Sequence, residues 1–184
     1  MSTTNVKPTN VSPANVSMAK PPSAWRDLGH LALKILVIGL ALVALFTLVF
    51  GLVRYREPGM SPAVKDSDLV VFFRHTKAYH PSDLVVLDYE GTRQVRRVIA
   101  TAGDTVDITD AGLTINGALQ QEPGIHEATK RYADGVDFPL TIAEGEVFVL
   151  ADARENGTDS RVYGAIKTTD IRGKVTLIIK RQCF

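Results

Sequence analysis

The stretch DLVVLDYEGTRQVRRVIATAGDTVDIT, residues 83–109, decides the fold. It divides into three short runs, 83–90, 93–101 and 104–109, each rich in β-branched and aromatic residues, with Gly91-Thr92 and Ala102-Gly103 supplying turn chemistry between them. None of the runs sustains a 3.6-residue apolar period, so they read as strands. The same grammar recurs upstream in DLVVFFRH (68–75) and downstream in EVFVLA (146–151) and KVTLIIKR (174–181). In LTINGAL (113–119), Asn116-Gly117 stands between two apolar arms, a strong signal for a tight hairpin. Residues 120–139 carry no comparable run and are expected to form an irregular excursion. The expected architecture is mainly β, an antiparallel and partly closed sheet.

Upstream of the β region the composition changes. ILVIGLALVALFTLVFGLV, residues 35–53, is nineteen residues without a charge, and at a helical rise of ~1.5 Å each it covers roughly 28 Å, close to the thickness of a bilayer's hydrocarbon core. It predicts a transmembrane helix, with Lys34 able to snorkel at one end and Arg54, Tyr55 and Arg56 closing the other. The run exceeds the ~7–15-residue apolar region of a cleaved signal peptide, and no small-x-small cleavage site follows Val53, so a retained anchor is expected. Residues 1–25 are mainly Ser, Thr, Asn, Pro, Ala and Val with two lysines and without a buriable face, which predicts disorder. The expected organisation is a tail over 1–30, a transmembrane helix over 31–54 and a β domain over 55–184. Lys20, Arg26 and Lys34 on one side balance Arg54, Arg56 and Lys65 on the other, so charge alone leaves the orientation open.

Composition narrows the function. The chain has 184 residues, 45% hydrophobic and 22% charged, with a net charge of +1; this provides no basic field for nucleic acid, and no nucleic-acid partner is expected. The one cysteine, Cys183, excludes an internal disulfide framework and a multi-cysteine metal cluster. His75 and His80 lack a third ligand nearby, and neither a metal nor a cofactor is expected. The 131 residues from 54 to 184 suffice for a single core. Pro58, Gly59, Met60 and Ser61 follow the expected helix within about six residues, which puts any chemistry there close to the bilayer surface.

Three ordered stretches carry a resemblance. PGMSPAVKDSD (58–68) resembles the Ser-Met-x-Pro-Thr box and following Lys-Asp-Gly-Asp turn of the type I signal peptidases, the membrane-anchored Ser/Lys peptidases. VRRVIATAGDTV (95–106) is similar to that family's Lys-Arg-Val-Ile-Gly strand and Gly-Asp turn, and VFVLADARENGTDSRVYG (147–164) to its Gly-Asp-Asn-Arg-x-x-Ser-x-Asp-Ser-Arg-x-x-Gly box. The resemblance covers nearly all of the expected ordered chain and is to the compact form found in Gram-positive bacteria. It implies a cytoplasmic amino terminus, a single membrane pass and an extracytoplasmic β domain whose apolar rim rests on the membrane. Met60, Pro62, Asp152, Arg154, Asp159, Ser160 and Arg161 become cleft or structural residues, with Asp159 and Arg161 charge-paired.

The departures from the family pattern fall on its chemistry. The nucleophilic serine belongs immediately before the Met of the first box, and here that position is Gly59. The lysine base belongs one place before the Arg of the second box, and here that position is Arg96. Glycine has no nucleophile, and a guanidinium keeps its proton at any working pH and cannot act as a base. Strand alternation separates Arg96 from Arg93, Val95 and Arg97 and points it into the cleft, where burial demands a carboxylate partner. Ala151, Ala153 and Gly157 replace the family's Gly, Asn and Ser. The resemblance therefore extends to the degenerate homologues that assist sortase-dependent pilus assembly. Their expected partners are the membrane, an extended polypeptide such as a preprotein or pilin, and a sortase or an active signal peptidase. The alternative is an active signal peptidase with Ser61 as substitute nucleophile and Lys65 as its partner; Pro62 opposes the helical turn that would pair them.

Overall fold

The 26 residues Ala24–Val49 form one continuous helix, α1. The computed structural model describes residues 24–181 apart from Lys77. The expected disordered tail lies outside the described residues as far as position 23, as does Cys183. Residues 24–30, assigned above to the tail, instead open α1. Extending a helix already nucleated by an apolar run costs little per residue, and Asp27 complements the dipole in the first turn. Asp27–Val49 is 23 residues containing an 18-residue stretch with a mean hydropathy of 2.6, long and apolar enough to cross a bilayer. Large apolar side chains from Leu28 to Leu48 are exposed along the helix, without the single buried stripe of a surface helix.

At its other end the helix stops at Val49 and not at Arg54. Phe50–Arg54 is strand β1, paired antiparallel with β2, Leu69–Phe73, in the register Phe50↔Phe73 to Arg54↔Leu69. Phe, Leu and Val suit a sheet as well as lipid, and pairing decides between them. Gly51 allows it, because a Cβ there would stand 2.1 Å from the Phe72 ring.

The remaining strands follow the runs read from the sequence: β3 Leu84–Tyr89, β4 Thr92–Thr101, β5 Thr105–Thr109, β6 Gly112–Ile115 and β7 Ala118–Leu119. After the irregular stretch come β8 Leu140–Thr141, β9 Glu146–Leu150, the one-turn helix α2 Ser160–Tyr163, β10 Ile166–Lys167 and β11 Ile171–Ile179. They form a seven-stranded sheet in the order β1-β2-β11-β3-β4-β9-β10 and a four-stranded sheet in the order β7-β6-β5-β8, with antiparallel pairing throughout. Neither sheet closes, which corrects the expected partly closed sheet: β1 and β10 are edges, and β10 has only two residues to pair. The β6–β7 hairpin turns through Asn116 and Gly117 at φ 52° and 79°, the positive pair of a type I′ turn.

Buried apolar side chains gather in three clusters. One, built on Tyr55, Met60, Val64, Val70, Phe72, Val86 and Val95, packs the first box against β2, β3 and β4. A second centres on Val85, Leu87, Val98 and Val149, and the third, around Ile108, Leu113 and Phe148, joins the two sheets.

Candidate functional site

The first box is held by backbone bonds and by one carboxylate. Tyr55 N–H donates to Asp68 O at 2.9 Å, and Ser67 N–H to Tyr55 O at 2.8 Å. Asp68, 3% exposed, accepts from the backbone N–H groups of Lys65 and Arg181 at 2.9 and 3.0 Å. Between these ties the chain turns at Pro58–Ala63, and Gly59 O accepts from Ala153 N–H at 2.9 Å, joining the first box to the third.

Gly59, Arg96 and Gly157, one residue from each of the three stretches, converge at a point. A Cβ built on Gly59 would lie 3.4 Å from Arg96 Nη1 and 3.5 Å from Gly157 Cα. Arg96 projects from β4 and is 1% exposed. Its Nη1 donates to Glu57 Oε2 at 2.9 Å and to its neighbour's carbonyl, Val95 O, at 2.7 Å, while Nε donates to Thr158 O at 2.8 Å. The buried charge thus has its carboxylate, as burial of a guanidinium requires. Glu57 was not singled out from the sequence, which demanded a carboxylate for Arg96 without indicating which one.

Arg97, the next residue on β4, takes a different partner. It grips Asp152 with Nε to Oδ1 at 2.8 Å and Nη2 to Oδ2 at 2.6 Å, and donates to Ser82 O at 3.1 Å. Asp159 caps α2 through the N–H of Arg161, binds the Arg161 guanidinium by both oxygens at 2.9 and 2.8 Å, and accepts from Ala151 N–H at 3.0 Å. Both side chains are buried. Ser160 is buried as well, and its Oγ accepts from Val149 N–H at 3.0 Å. Asp159 and Ser160 therefore hold the third box to β9 and its end. Arg154 donates to Ala151 O at 2.8 Å and pairs with Glu122 of the irregular stretch; burial lowers its proton affinity, and its Nε has no acceptor among the described residues.

The irregular stretch contributes two more residues that the sequence did not single out. Tyr132 Oη reaches the carbonyls of Arg154 and Gly157 at 3.3 Å, and the Arg161 guanidinium lies 4.6 Å from its ring centroid. Glu127 accepts from Glu155 N–H at 2.7 Å. Met60 is fully buried in the first core cluster, whereas Ser61 and Pro62 are exposed. Residues 61–65 form turns and not a helix, and no hydrogen bond joins Ser61 to Lys65. Beside Arg96, burial drives the phenol of Tyr55 well above its ordinary pKa, and its Oη has no partner among the described residues.

The three convergent stretches lie in one matching region. The model of the family described as signal peptidase, peptidase S26, matches residues 28–180. Signal peptidase I U of Bacillus subtilis strain 168 is 28% identical over 160 residues, covering 78% of this chain and 86% of its own length. Signal peptidase I P of Bacillus subtilis subsp. natto is 30% identical over 159 residues, covering 79% and 86%. Among solved structures, a signal peptidase I from Enterococcus faecalis V583 aligns with a TM-score of 0.45 at 30% identity, covering 54% of this chain and 98% of that one. With the match running from within α1 to the end of β11 and taking in all three convergent stretches, the chain belongs to the signal peptidase S26 family.

Proposed function

We propose that this chain is a non-catalytic signal-peptidase-like membrane protein that holds extended polypeptide, such as a preprotein or a pilin, as an accessory in protein export or sortase-dependent pilus assembly. One observation carries the proposal. At the point where family chemistry calls for a hydroxyl facing a neutral amine, a glycine without a side chain faces an arginine fixed by three hydrogen bonds. A guanidinium offers donors only and takes no proton from a nucleophile. Removing one member of a nucleophile–base unit costs about as much rate as removing the whole unit, and here both positions are changed.

Polypeptide binding does not depend on those groups. β4 pairs with β3 along residues 92–97 but with β9 only from Arg97 onward. On the side away from β3, residues 92–96 have no strand partner among the described residues, and such an edge can accept an added strand through main-chain hydrogen bonds. On this proposal the amino terminus is cytoplasmic and the β domain extracytoplasmic, and a sortase or an active signal peptidase is the accompanying enzyme.

The test is preprotein cleavage by the detergent-solubilised full chain beside its Ser61→Ala variant. The expected result is no cleavage by either at high protein concentration. Cleavage that disappears in Ser61→Ala would establish an active peptidase and overturn the proposal.

A further inference from the structure

Two Asn-Gly dipeptides stand in this chain, Asn116-Gly117 and Asn156-Gly157. Such a pair has a chemistry of its own. The main-chain nitrogen of the second residue can attack the side-chain carbonyl of the first, and glycine hinders the closing ring least because it has no Cβ. Whether the ring closes depends on what else holds the two reacting groups.

Asn116 is fixed at both ends of its side-chain amide. Its Oδ1 accepts from Thr105 N–H at 2.8 Å, and its Nδ2 donates to Asp104 Oδ1 at 2.9 Å. Its own N–H donates to Thr105 O at 2.8 Å, so ring closure there has to break the bonds that tie the hairpin to β5. Asn156 differs. It is exposed, and its side-chain amide makes no hydrogen bond among the described residues. Its backbone N–H donates to Ala153 O at 3.2 Å, and the Gly157 N–H beside it has no acceptor among the described residues. Gly157 itself is buried, and its carbonyl accepts from Tyr132 Oη at 3.3 Å. That bond leaves its nitrogen unengaged, and the carbon under attack belongs to the exposed side chain next to it.

From the unbonded amide of Asn156, the unbonded N–H of Gly157 and the contrast with Asn116, we infer that Asn156-Gly157 is a self-modification site, where the folded protein converts asparagine to aspartate and isoaspartate. The Gly157 nitrogen gives its proton to solvent base and bonds to Asn156 Cγ. The Cγ–Nδ2 bond breaks, and Nδ2 leaves as ammonia with a proton from water. A second water opens the cyclic imide at either carbonyl: one opening restores the original peptide bond and gives aspartate, the other runs the main chain through Cγ and gives isoaspartate. The sum consumes one water and releases one ammonia.

The location gives the change a consequence. Either product carries a carboxylate where Asn156 is neutral. Isoaspartate also puts one more carbon into the main chain just before Gly157, whose Cα lies 3.5 Å from the Cβ position of Gly59. The next residue, Thr158, offers the carbonyl that accepts from Arg96 Nε at 2.8 Å. Isoaspartate therefore loosens the support of Arg96, and aspartate leaves it in place.

The test ages the detergent-solubilised full chain at mildly alkaline pH, beside a sample held unfolded in urea. Mass spectrometry then follows tryptic peptides 155–161 and 98–130, each of which contains a single asparagine. In urea both should gain about one dalton at similar rates. In the folded protein, peptide 155–161 should convert within about threefold of its urea rate, and peptide 98–130 about tenfold or more below its own, because two side-chain hydrogen bonds have to break first. Asn156→Gln should abolish the change in peptide 155–161. Protection of Asn156 equal to that of Asn116 would overturn the inference. The purified isoaspartate fraction should melt several degrees below the parent, while Asn156→Asp, with its normal main chain, melts with the parent. An isoaspartate fraction as stable as the parent would overturn the link to Arg96.

Discussion

On the proposed reading, Glu57 should decide whether a serine and a lysine introduced at positions 59 and 96 act as a peptidase pair. The perturbation is Gly59→Ser with Arg96→Lys, made with and without Glu57→Gln. Space is available: contacts of a Cβ at Gly59 begin at 3.4 Å, and Gly59 is not in the left-handed backbone region. An introduced lysine serves as base only when neutral. Glu57 Oε2, however, lies 2.9 Å from the present Nη1, and a carboxylate near an amine holds it protonated. At ~4 Å and an effective dielectric of ~20 the attraction is about 4 kcal/mol, which is roughly three pKa units. Glu57 is 24% exposed on its side chain, so water screens part of this, and a shift of about one to three units is expected.

The double variant should therefore remain nearly inactive near neutral pH. Adding Glu57→Gln should raise cleavage about 10- to 1000-fold over the double. The sign also fixes the pH profile. A base that must be neutral loses activity as pH falls below its pKa, so the acid limb of the double should lie one to three units above that of the triple. Initial rates of preprotein cleavage between about pH 6 and 10 would show this. If both variants are too slow to assay, nitrogen NMR of the introduced lysine reads the same shift directly. Coincident limbs, or coincident titrations, would refute the assigned role of Glu57.

Asp159→Ala leaves a buried arginine uncompensated and removes the cap of α2; urea denaturation should register a loss of about 3–5 kcal/mol, larger than for any change at the exposed pair of Arg131 with Asp107. Hydrogen bonds from Arg93 and Arg172 hold the Asp88 carboxyl below its ordinary range. Because the folded value is depressed, this stabilisation is complete above the unfolded value of about 3.9 and is lost as pH falls through the lower folded one. The deficit of Asp88→Asn in thermal unfolding should accordingly be constant from pH 7 to about pH 5 and shrink below about pH 4. Gly117→Ala places a Cβ at φ 79° and should cost about 1 kcal/mol in the same melts.

Strands were legible wherever the apolar run was bounded by turn residues, because pairing needs both. The 93–101 run became β4 almost unchanged, and Asn116-Gly117 marked its hairpin because few other dipeptides accept two positive φ values. The helix end was not legible. Phe50 to Val53 satisfies lipid and sheet equally, and the partner that decides, β2, begins nineteen residues later at Leu69. Two-residue strands such as β8 and β10 carry no period of their own and exist through what they pair with. At the site, motif spacing indicated Gly59 and Arg96, yet it could not indicate Glu57, Glu122 or Tyr132, whose roles come from long-range contact. Physical reasoning did demand a carboxylate for Arg96; only the fold says which one.

On the proposed reading a reactive pair has been replaced, a change that ordinarily leaves an orphaned charge, and the Arg96 charge is compensated. Arg96 reaches a carboxylate and two carbonyls, and its Nη1 lies 3.4 Å from where a Cβ on Gly59 would stand. Across from them Gly157 is pinned, since a Cβ there would meet Ala151 Cβ at 2.1 Å. Because Gly59, Arg96 and Gly157 converge, the single change Gly59→Ser tests the proposed reading. Its Cβ fits at ordinary contact distance, and a hydroxyl beyond it would accept from the guanidinium rather than give up a proton. Gly59→Ser alone should therefore melt within a few degrees of the parent and cleave no preprotein. Cleavage by that single variant would mean that a base other than the residue at position 96 serves the site, and the case for a non-catalytic protein would fail with it.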